Sequence, residues 1–228
     1  MMEILIPTAG LSPWLNTTLA TMASSCPSVI PTVVYGGNDA AIQDLLLSQR
    51  CSPLFPTDQL PWTEATNYGL RALEGNDVVV CNDDIAILTP QWLDIFQEHL
   101  DTKRGMVAAV GPVSNNILKK QLMDYVGTEI QELPYLSFCC IAISREALQA
   151  VGGLDERFGN GPFDDLDWSE RAKAKGFKLL VDRRAWVWHY GSQSMQTSSG
   201  LQNRDQARAL LLEKHPHVED HLPKSISR

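Results

Sequence analysis

In NYGLRALEGNDVVVCNDD, residues 67–84, a helical pattern runs into a strand and the strand runs into acids. Extended back to Thr63, the first part is a helix closed by Gly75. The stretch Asp77 to Cys81 is a continuous apolar run, and Asn82, Asp83 and Asp84 follow it at once. A helix feeding a strand at this spacing is part of a βαβ unit, and such units build parallel sheets.

The same order recurs on both sides. EILIP (3–7) reads as a strand ended by proline, and SPWLNTTLATMAS (12–24) as a helix with Ser12 as N-cap and Pro13 at its first position. PTVVYGG (31–37) and DAAIQDLLLSQR (39–50) repeat the pair. TPQWLDIFQEHL (89–100) predicts a helix capped by Thr89, with Pro90 first and Leu93, Phe96 and Leu100 on one face, and GMVAAVGP (105–112) a strand. Beyond residue 112 the character shifts. SNNILKKQLMDY (114–125) is ambiguous, YLSFCCIAI (135–143) reads as a buried strand, and SREALQAVGG (144–153) as a capped helix closed by glycine. A helix over 165–176, strands over 177–182 and 185–190, the polar loop GSQSMQTSSG (191–200) and a last helix over 203–215 stopped by Pro216 complete the pattern. The expected fold class is α/β: a single Rossmann-like domain over residues 1–228, with a central, mostly parallel mixed sheet flanked by helices.

A chain of 228 residues with 44% hydrophobic and 20% charged residues carries enough apolar surface for one large core. The net charge of −8 argues against a broad grip on nucleic acid or anionic lipid. The five cysteines form no CxxC pair and no zinc spacing, so reduced, buried thiols are expected. The start has no basic segment before a long apolar stretch, and nowhere do about 18 apolar residues run together. These features lead to the expectation of a cytoplasmic protein without a transmembrane segment; Lys214, Lys224 and Arg228 in the tail are too sparse to argue for membrane attachment.

Two acidic groups stand out. Asn82, Asp83 and Asp84 sit at the carboxyl end of a strand, where ligands of open α/β sheets bind. Hard divalent ions take oxygen ligands there and bridge a carboxylate to a diphosphate, with Asp84 the candidate holder beside Asn82 or Asp83; an Asn/Asp turn is the commoner role of such a tripeptide. In FGNGPFDDLDWSERAKAKGF (158–177), Asp164, Asp165, Asp167 and Glu170 fall within seven positions. Helix N-terminal chemistry accounts for one or two of them; neighbouring carboxylates repel, so the rest call for a cation, a partner or a reacting proton. Arg171 stands one turn from Asp167, and the lysines 173, 175 and 178 read as a solvated face. Trp62 and Trp168 read as packing aromatics first, and Cys139 and Cys140 as core. His189, which strand alternation puts on the face of Val187, is a possible imidazole ligand, although a strand histidine is more often structural.

The ordered set NDD, then GGLDERFGNGPFDDLDWSERAKAKGFKLLVDRRAWVWHYGS, resembles the inverting family-2 glycosyltransferases of the GT-A fold. Their corresponding segment reads approximately GG-x-D-E-x-F, a short loop, E-D-x-D, an R-A-x-x-x-G-y pair and an H-x-G-S ending. ILIPTAG and VGPVSNN echo the same family earlier in the chain. The resemblance implies that residues 1–112 bind a nucleotide-sugar, that 113–200 carry the acceptor side and catalysis, and that 201–228 form a helix and tail. It implies that Asp84 holds Mn2+ or Mg2+ with Asn82 and Asp83 beside it, and that His189 completes the metal site. Asp165 would be the general base, with Asp164 where glutamate is usual; Asn67 and Gly69 would pack near the donor, and Pro7 and Thr8 would approach the nucleoside. Gly159 and Gly161 would let the backbone bend close to the acceptor.

On this reading the expected activity is metal-dependent transfer of one sugar, from a donor expected to be a UDP-sugar, to a hydroxyl acceptor such as a glycan. Asp165 removes the acceptor proton, and a metal neutralises the leaving diphosphate. Many relatives end the second strand on an aspartate that contacts the base, whereas Gly36 and Gly37 stand there and Asp39 follows a little later, so the base is left open. The chain lacks the long extensions of processive synthases. A sugar nucleotidyltransferase is the first rival, disfavoured because PTAGLSPWLNTT (7–18) has no Arg or Lys for a triphosphate. A non-catalytic binding module of the same fold is the second.

Overall fold

The computed structural model describes residues 2–10, 13–115, 130–160, 162–191 and 198–221. Strands β1 (Met2–Thr8), β2 (Thr32–Tyr35), β3 (Ser52–Leu54) and β4 (Asp77–Cys81) pair in parallel in the order β3-β2-β1-β4. Helices α1 (Leu15–Ser25), α2 (Ala40–Ser48) and α3 (Trp62–Ala72) make the connections, as the helix–strand alternation requires. The second half adds β5 (Ile85–Ile87), α4 (Trp92–Thr102), β6 (Val107–Ser114), β7 (Ile130–Glu132), β8 (Cys140–Ile143), α5 (Arg145–Val151), α6 (Asp164–Ala174), β9 (Lys178–His189) and α7 (Ser198–Lys214). Here β8 runs antiparallel between β4 and β6, and β9 pairs parallel with β6 but antiparallel with β5 and β7. The result is one mixed sheet, ordered β3-β2-β1-β4-β8-β6-β9-β5 with β7 beside β9.

Both faces of the sheet are covered, and the alternation along β1 shows how. Ile4 and Ile6 pack into one layer with Met22 of α1 and Trp92, Phe96 and Leu100 of α4. Leu5 faces the other layer, with Ala65 of α3 and Trp168 and Ala172 of α6. Because β1 and β4 are buried on both sides, they read as unbroken apolar runs. Among the described residues no helix is long and apolar enough to cross a membrane.

Several boundaries differ from the sequence expectation, each for a local reason. Helix α1 begins at Leu15, so Pro13 precedes it; Ser12 lies outside the described residues. Helix α4 begins at Trp92 because Thr89 is engaged elsewhere: its hydroxyl accepts from Trp186 N (2.9 Å) and tethers the neighbouring strand. Of YLSFCCIAI only Cys140–Ile143 is strand. The two strands expected over 177–182 and 185–190 are one, β9, broken by a bulge where Pro112 pairs Asp182 and the next residue, Val113, pairs Trp186. At that bulge the buried Asp182 carboxylate is held by His99 Nε2 (2.7 Å) and by the Arg184 backbone N–H (2.8 Å). Gly161, Lys224, Arg228 and all but the first two residues of SNNILKKQLMDY lie outside the described residues.

The contact between α3 and β1 depends on Gly69. A Cβ there would stand 2.2 Å from Leu5 Cδ1 and 3.0 Å from Val34 Cγ2. Gly69→Ala is therefore expected to destabilise the protein by about 1–3 kcal/mol through overpacking, read as a lower urea midpoint at unchanged m-value.

Candidate functional site

The turn after β4 sends its two aspartates to opposite sides. Asp83 accepts a hydrogen bond from the Thr8 hydroxyl, and Thr8 Oγ1 in turn accepts from Gly10 N (2.8 Å), so the end of β1 and the end of β4 are tied together beside Pro7. Burial raises the Asp83 carboxyl to about 6, against the lowering effect of the Thr8 hydroxyl. Asp84 turns toward β9. Its Oδ2 accepts from Gly191 N (3.1 Å), and its Oδ1 lies 3.0 Å from His189 Nε2 yet is buried without a hydrogen bond. The same Nε2 stands 3.1 Å from Asn82 Nδ2.

Tertiary pairing sets this geometry. Ile85 of β5 opposes His189 of β9, which puts the histidine one residue from Asp84 across the ladder. Asn115 then clamps the His189 backbone from both sides, accepting from its N–H (2.6 Å) and donating to its carbonyl (2.9 Å). The Trp14 and Tyr190 rings stack beside it with centroids 3.8 Å apart, and Tyr190 N donates to Asp84 O (2.9 Å). Asn115 stood within the VGPVSNN echo without an assigned role. The Trp14–Tyr190 stack joins residues 176 positions apart, and nothing local in the sequence announces it.

The second acidic group opens α6. The helix starts after Phe163, a non-glycine residue at φ 80°, and this left-handed turn delivers Asp164 and Asp165 together at the helix end. Asp164 is buried, with Oδ2 accepting from Trp62 Nε1 (2.9 Å). Asp165 is half-buried; Oδ1 accepts from Leu166 N (2.8 Å), and the Phe138 backbone also donates to this carboxylate. Burial pushes both carboxyls up, and at Asp164 the adjacent Asp165 charge adds to the rise. Gly159, at φ 56°, makes the bend before them.

The other two acids of the run are neutralised structurally. Burial alone would raise the Asp167 carboxyl, but Lys214, His215 (Nε2 at 2.9 Å) and Arg171 (Nε at 2.9 Å) hold it below its ordinary value. The expected Arg171–Asp167 pair is therefore present, one turn apart on α6. Glu170 is likewise lowered by Lys173 and His217 against the effect of burial. Trp168 is core, with its indole N–H on Gly152 O (2.9 Å). All five cysteines are free, and Cys139 and Cys140 are buried.

A single peptide segment connects the two acidic groups. Asn82 N donates to Cys139 O (2.9 Å), and the neighbouring Phe138 N–H serves Asp165. Asn67 and Asp39 are engaged differently. Asn67 Oδ1 accepts from Leu154 N (2.8 Å), and its Nδ2 donates to Leu154 O (2.9 Å) and Glu156 Oε1 (3.0 Å), so its amide braces the loop ahead of α6. Asp39 caps α2 by accepting from Ala41 N (2.8 Å).

The Asp84–His189 pair suits a divalent ion. Ligand atoms at right angles on an ion with bonds of about 2.1 Å sit about 3 Å apart, which is the observed spacing, and the bare Asp84 oxygen has an unused lone pair. Among the described residues no three His, Cys, Asp or Glu side chains converge. An ion here would take its remaining ligands from diphosphate and water, as Mg2+ commonly does.

No protein-family model matches the chain. Over 157 residues it is 26% identical to the uncharacterized proteins Rv1525 of Mycobacterium tuberculosis and Mb1552 of Mycobacterium bovis, covering 64% of this chain and 59% of theirs. Among solved structures it superposes on GalNAc-T7 with UDP, GalNAc and Mn2+ at TM-score 0.70 and 13% identity, over 96% of this chain and 52% of that one. The mannosyltransferase PcManGT from Pyrobaculum calidifontis, in complex with GDP-Man and Mn2+, gives 0.69 and 16%, over 98% and 65%. The chain has the GT-A fold. S. aureus TarS shares it at TM-score 0.65 and 14% identity, over 95% of this chain and 43% of that one. The GT-A chain described here thus spans about three fifths of the mycobacterial relatives' length and roughly half of these larger solved chains.

The crowded carboxyls carry a measurable cost. A carboxyl whose folded pKa is raised contributes stability that is fully present below the unfolded value and lost as pH rises through the folded one. Asp164→Asn is therefore expected to make the protein more stable than wild type at pH 8, with the gain vanishing near pH 4 in parallel urea titrations.

Proposed function

We propose that this protein is a divalent-metal-dependent inverting glycosyltransferase that moves one sugar from a nucleotide diphosphate sugar, a UDP-sugar, to a hydroxyl of a saccharide acceptor. The observation that carries this reading is the Asp84 oxygen, buried without a hydrogen bond among the described residues and 3.0 Å from His189 Nε2, joined through Phe138 and Cys139 to a second pair of acids, Asp164 and Asp165. The structural neighbours GalNAc-T7 and PcManGT hold UDP and GDP-Man with Mn2+, which supports a nucleotide-sugar donor and a metal. The choice of UDP rests on the family resemblance.

Asp84 and His189 would hold Mn2+ or Mg2+, which would supply charge neutralisation to the leaving diphosphate. Asp83 and Thr8, with Pro7 behind them, line the nucleoside side, and Asp39 stands at the outer end of β2. Asp165 accepts the acceptor hydroxyl's proton as that oxygen attacks the anomeric carbon from the face opposite the diphosphate, which inverts the configuration. Asp164 orients the acceptor through a neighbouring hydroxyl. Burial raises the basicity of Asp165, which suits it to take a proton near neutral pH. Asn67 braces the loop that precedes the acids. Five free thiols suit a reducing, cytoplasmic compartment.

Asp165→Asn should lower transfer and nucleotide diphosphate release by about 100-fold or more, measured with Mn2+ and a panel of nucleotide-sugars. Wild-type kcat/KM should fall on acidification with a midpoint above the ordinary aspartate value, since the base acts only when deprotonated. An unaffected rate in the variant would remove Asp165 from the base role, and pyrophosphate release from a nucleoside triphosphate plus a sugar phosphate would favour a nucleotidyltransferase. His189→Ala should weaken Mn2+ activation by about tenfold or more, read from the metal concentration at half-maximal rate and from direct Mn2+ binding by EPR.

A further inference from the structure

The first turns of α3 hold the acid-bearing loop by a continuous set of hydrogen bonds. Trp62 N donates to Asn160 Oδ1 (2.7 Å), Thr63 N to Gly159 O (3.2 Å), and the Asn67 amide closes on Leu154 and Glu156. Gly153 leaves the space this needs: a Cβ there would stand 2.2 Å from Asn67 Oδ1. At the head of the set, the half-buried Trp62 side chain reaches across 102 residues of sequence to put its indole N–H 2.9 Å from Asp164 Oδ2. Packing alone does not require that bond, because an indole N–H at the partly exposed end of a helix can donate to water.

We propose that Trp62 is a positioning residue for sugar transfer, fixing the Asp164 carboxylate as a hydrogen-bond acceptor so that its second oxygen is presented to a hydroxyl of the acceptor beside the one that reacts. This rests on the glycosyltransferase reading of the acid pair. The physical basis is the crowding at the α6 N-terminus. Two adjacent carboxyls, one buried and one half-buried, resist joint ionisation, and the donors each receives bear on which holds the proton. Asp165 has the Leu166 and Phe138 N–H groups and its own, whereas Asp164 has the Asp165 N–H, its own, and the Trp62 indole, the one side-chain donor given for the pair. Among the described residues, the titratable groups coupled to the pair are its own two members and Tyr135, whose phenol is raised by burial and by the Asp165 charge. Trp62 belongs to the donor-side half of the sheet and Asp164 to the acceptor side. The bond therefore sets the acceptor carboxylate against the frame that carries the donor.

Trp62→Phe keeps an aromatic ring and removes the donor. It is expected to raise the KM for acceptor by roughly tenfold and to change kcat far less. If KM stays at the wild-type value, or if kcat alone falls, Trp62 only packs and the proposal is overturned. A second readout needs no turnover. One of the six tryptophan indole N–H resonances, absent in Trp62→Phe, should shift with pH in the native protein and stay fixed in Asp164→Asn. No such titration in the native protein, or an equal one in Asp164→Asn, overturns the assignment even if the phenylalanine variant fails to fold. Titration as expected, in a protein that transfers no sugar from any nucleotide-sugar, would keep the Trp62–Asp164 link and sink the transferase reading instead.

Discussion

The hydrogen bond from Asn82 N to Cys139 O, 2.9 Å, lies where the parallel part of the sheet passes into the antiparallel part. Strand β4 ends at Cys81, paired with Cys140 of β8, and the acids begin on the next residue but one. Because β8 runs opposite to β4, the residues that precede β8 lie against those that follow β4. That reversal puts Phe138 within reach of Asp165, while the antiparallel pairing of β5 with β9 puts His189 beside Asn82. A fully parallel sheet would have needed a crossover there and would have separated the two acidic groups by a helix.

The site is built from carboxylates that the fold treats in three ways. Asp167 and Glu170 are compensated by cations from α6 itself and from the C-terminal segment, with Lys214 reaching both Asp167 and Asp155 and so tying α7 to the loop and to the helix. Among the described residues, Asp164 and Asp165 receive neutral N–H donors and stay raised by burial. Asp84 Oδ1, 3.0 Å from His189 Nε2, makes no hydrogen bond among them. A fold under pressure for stability alone would compensate all of them. The uncompensated ones are those to which the proposed function assigns a proton or an ion.

Two features far from the acids decide their geometry. The bulge in β9 inserts three extra residues opposite β6 between Asp182 and Trp186, and an odd insertion exchanges the faces of a strand, so the bulge determines that Val187 points inward and His189 toward Asp84. The buried His99–Asp182 pair anchors it. On the other side of the sheet, the close approach of Gly69 to Leu5 lets α3 sit low enough for Trp62 and Asn67 to hold the loop ahead of α6.

Much of this was legible in the order of residues. The apolar runs of β1, β2 and β4, the Ser144 and Gly152 caps of α5, the helical period of α6 and the Arg171–Asp167 pair follow from local propensity and from spacing along one element. The candidate acids could be named because their types and positions at element ends are written in the chain. What the sequence left open were relations between distant segments: β5 and β7, whose three residues carry no period, the loss of Thr89 as a cap to a strand 97 residues away, and the engagement of Asn67 with the loop ahead of α6. The Trp14–Tyr190 stack, the Asn115 clamp and the Trp62–Asp164 bond belong to the same class. Such contacts depend on strand order and register, which depend in turn on the packing of the whole sheet, so only the tertiary structure decides them.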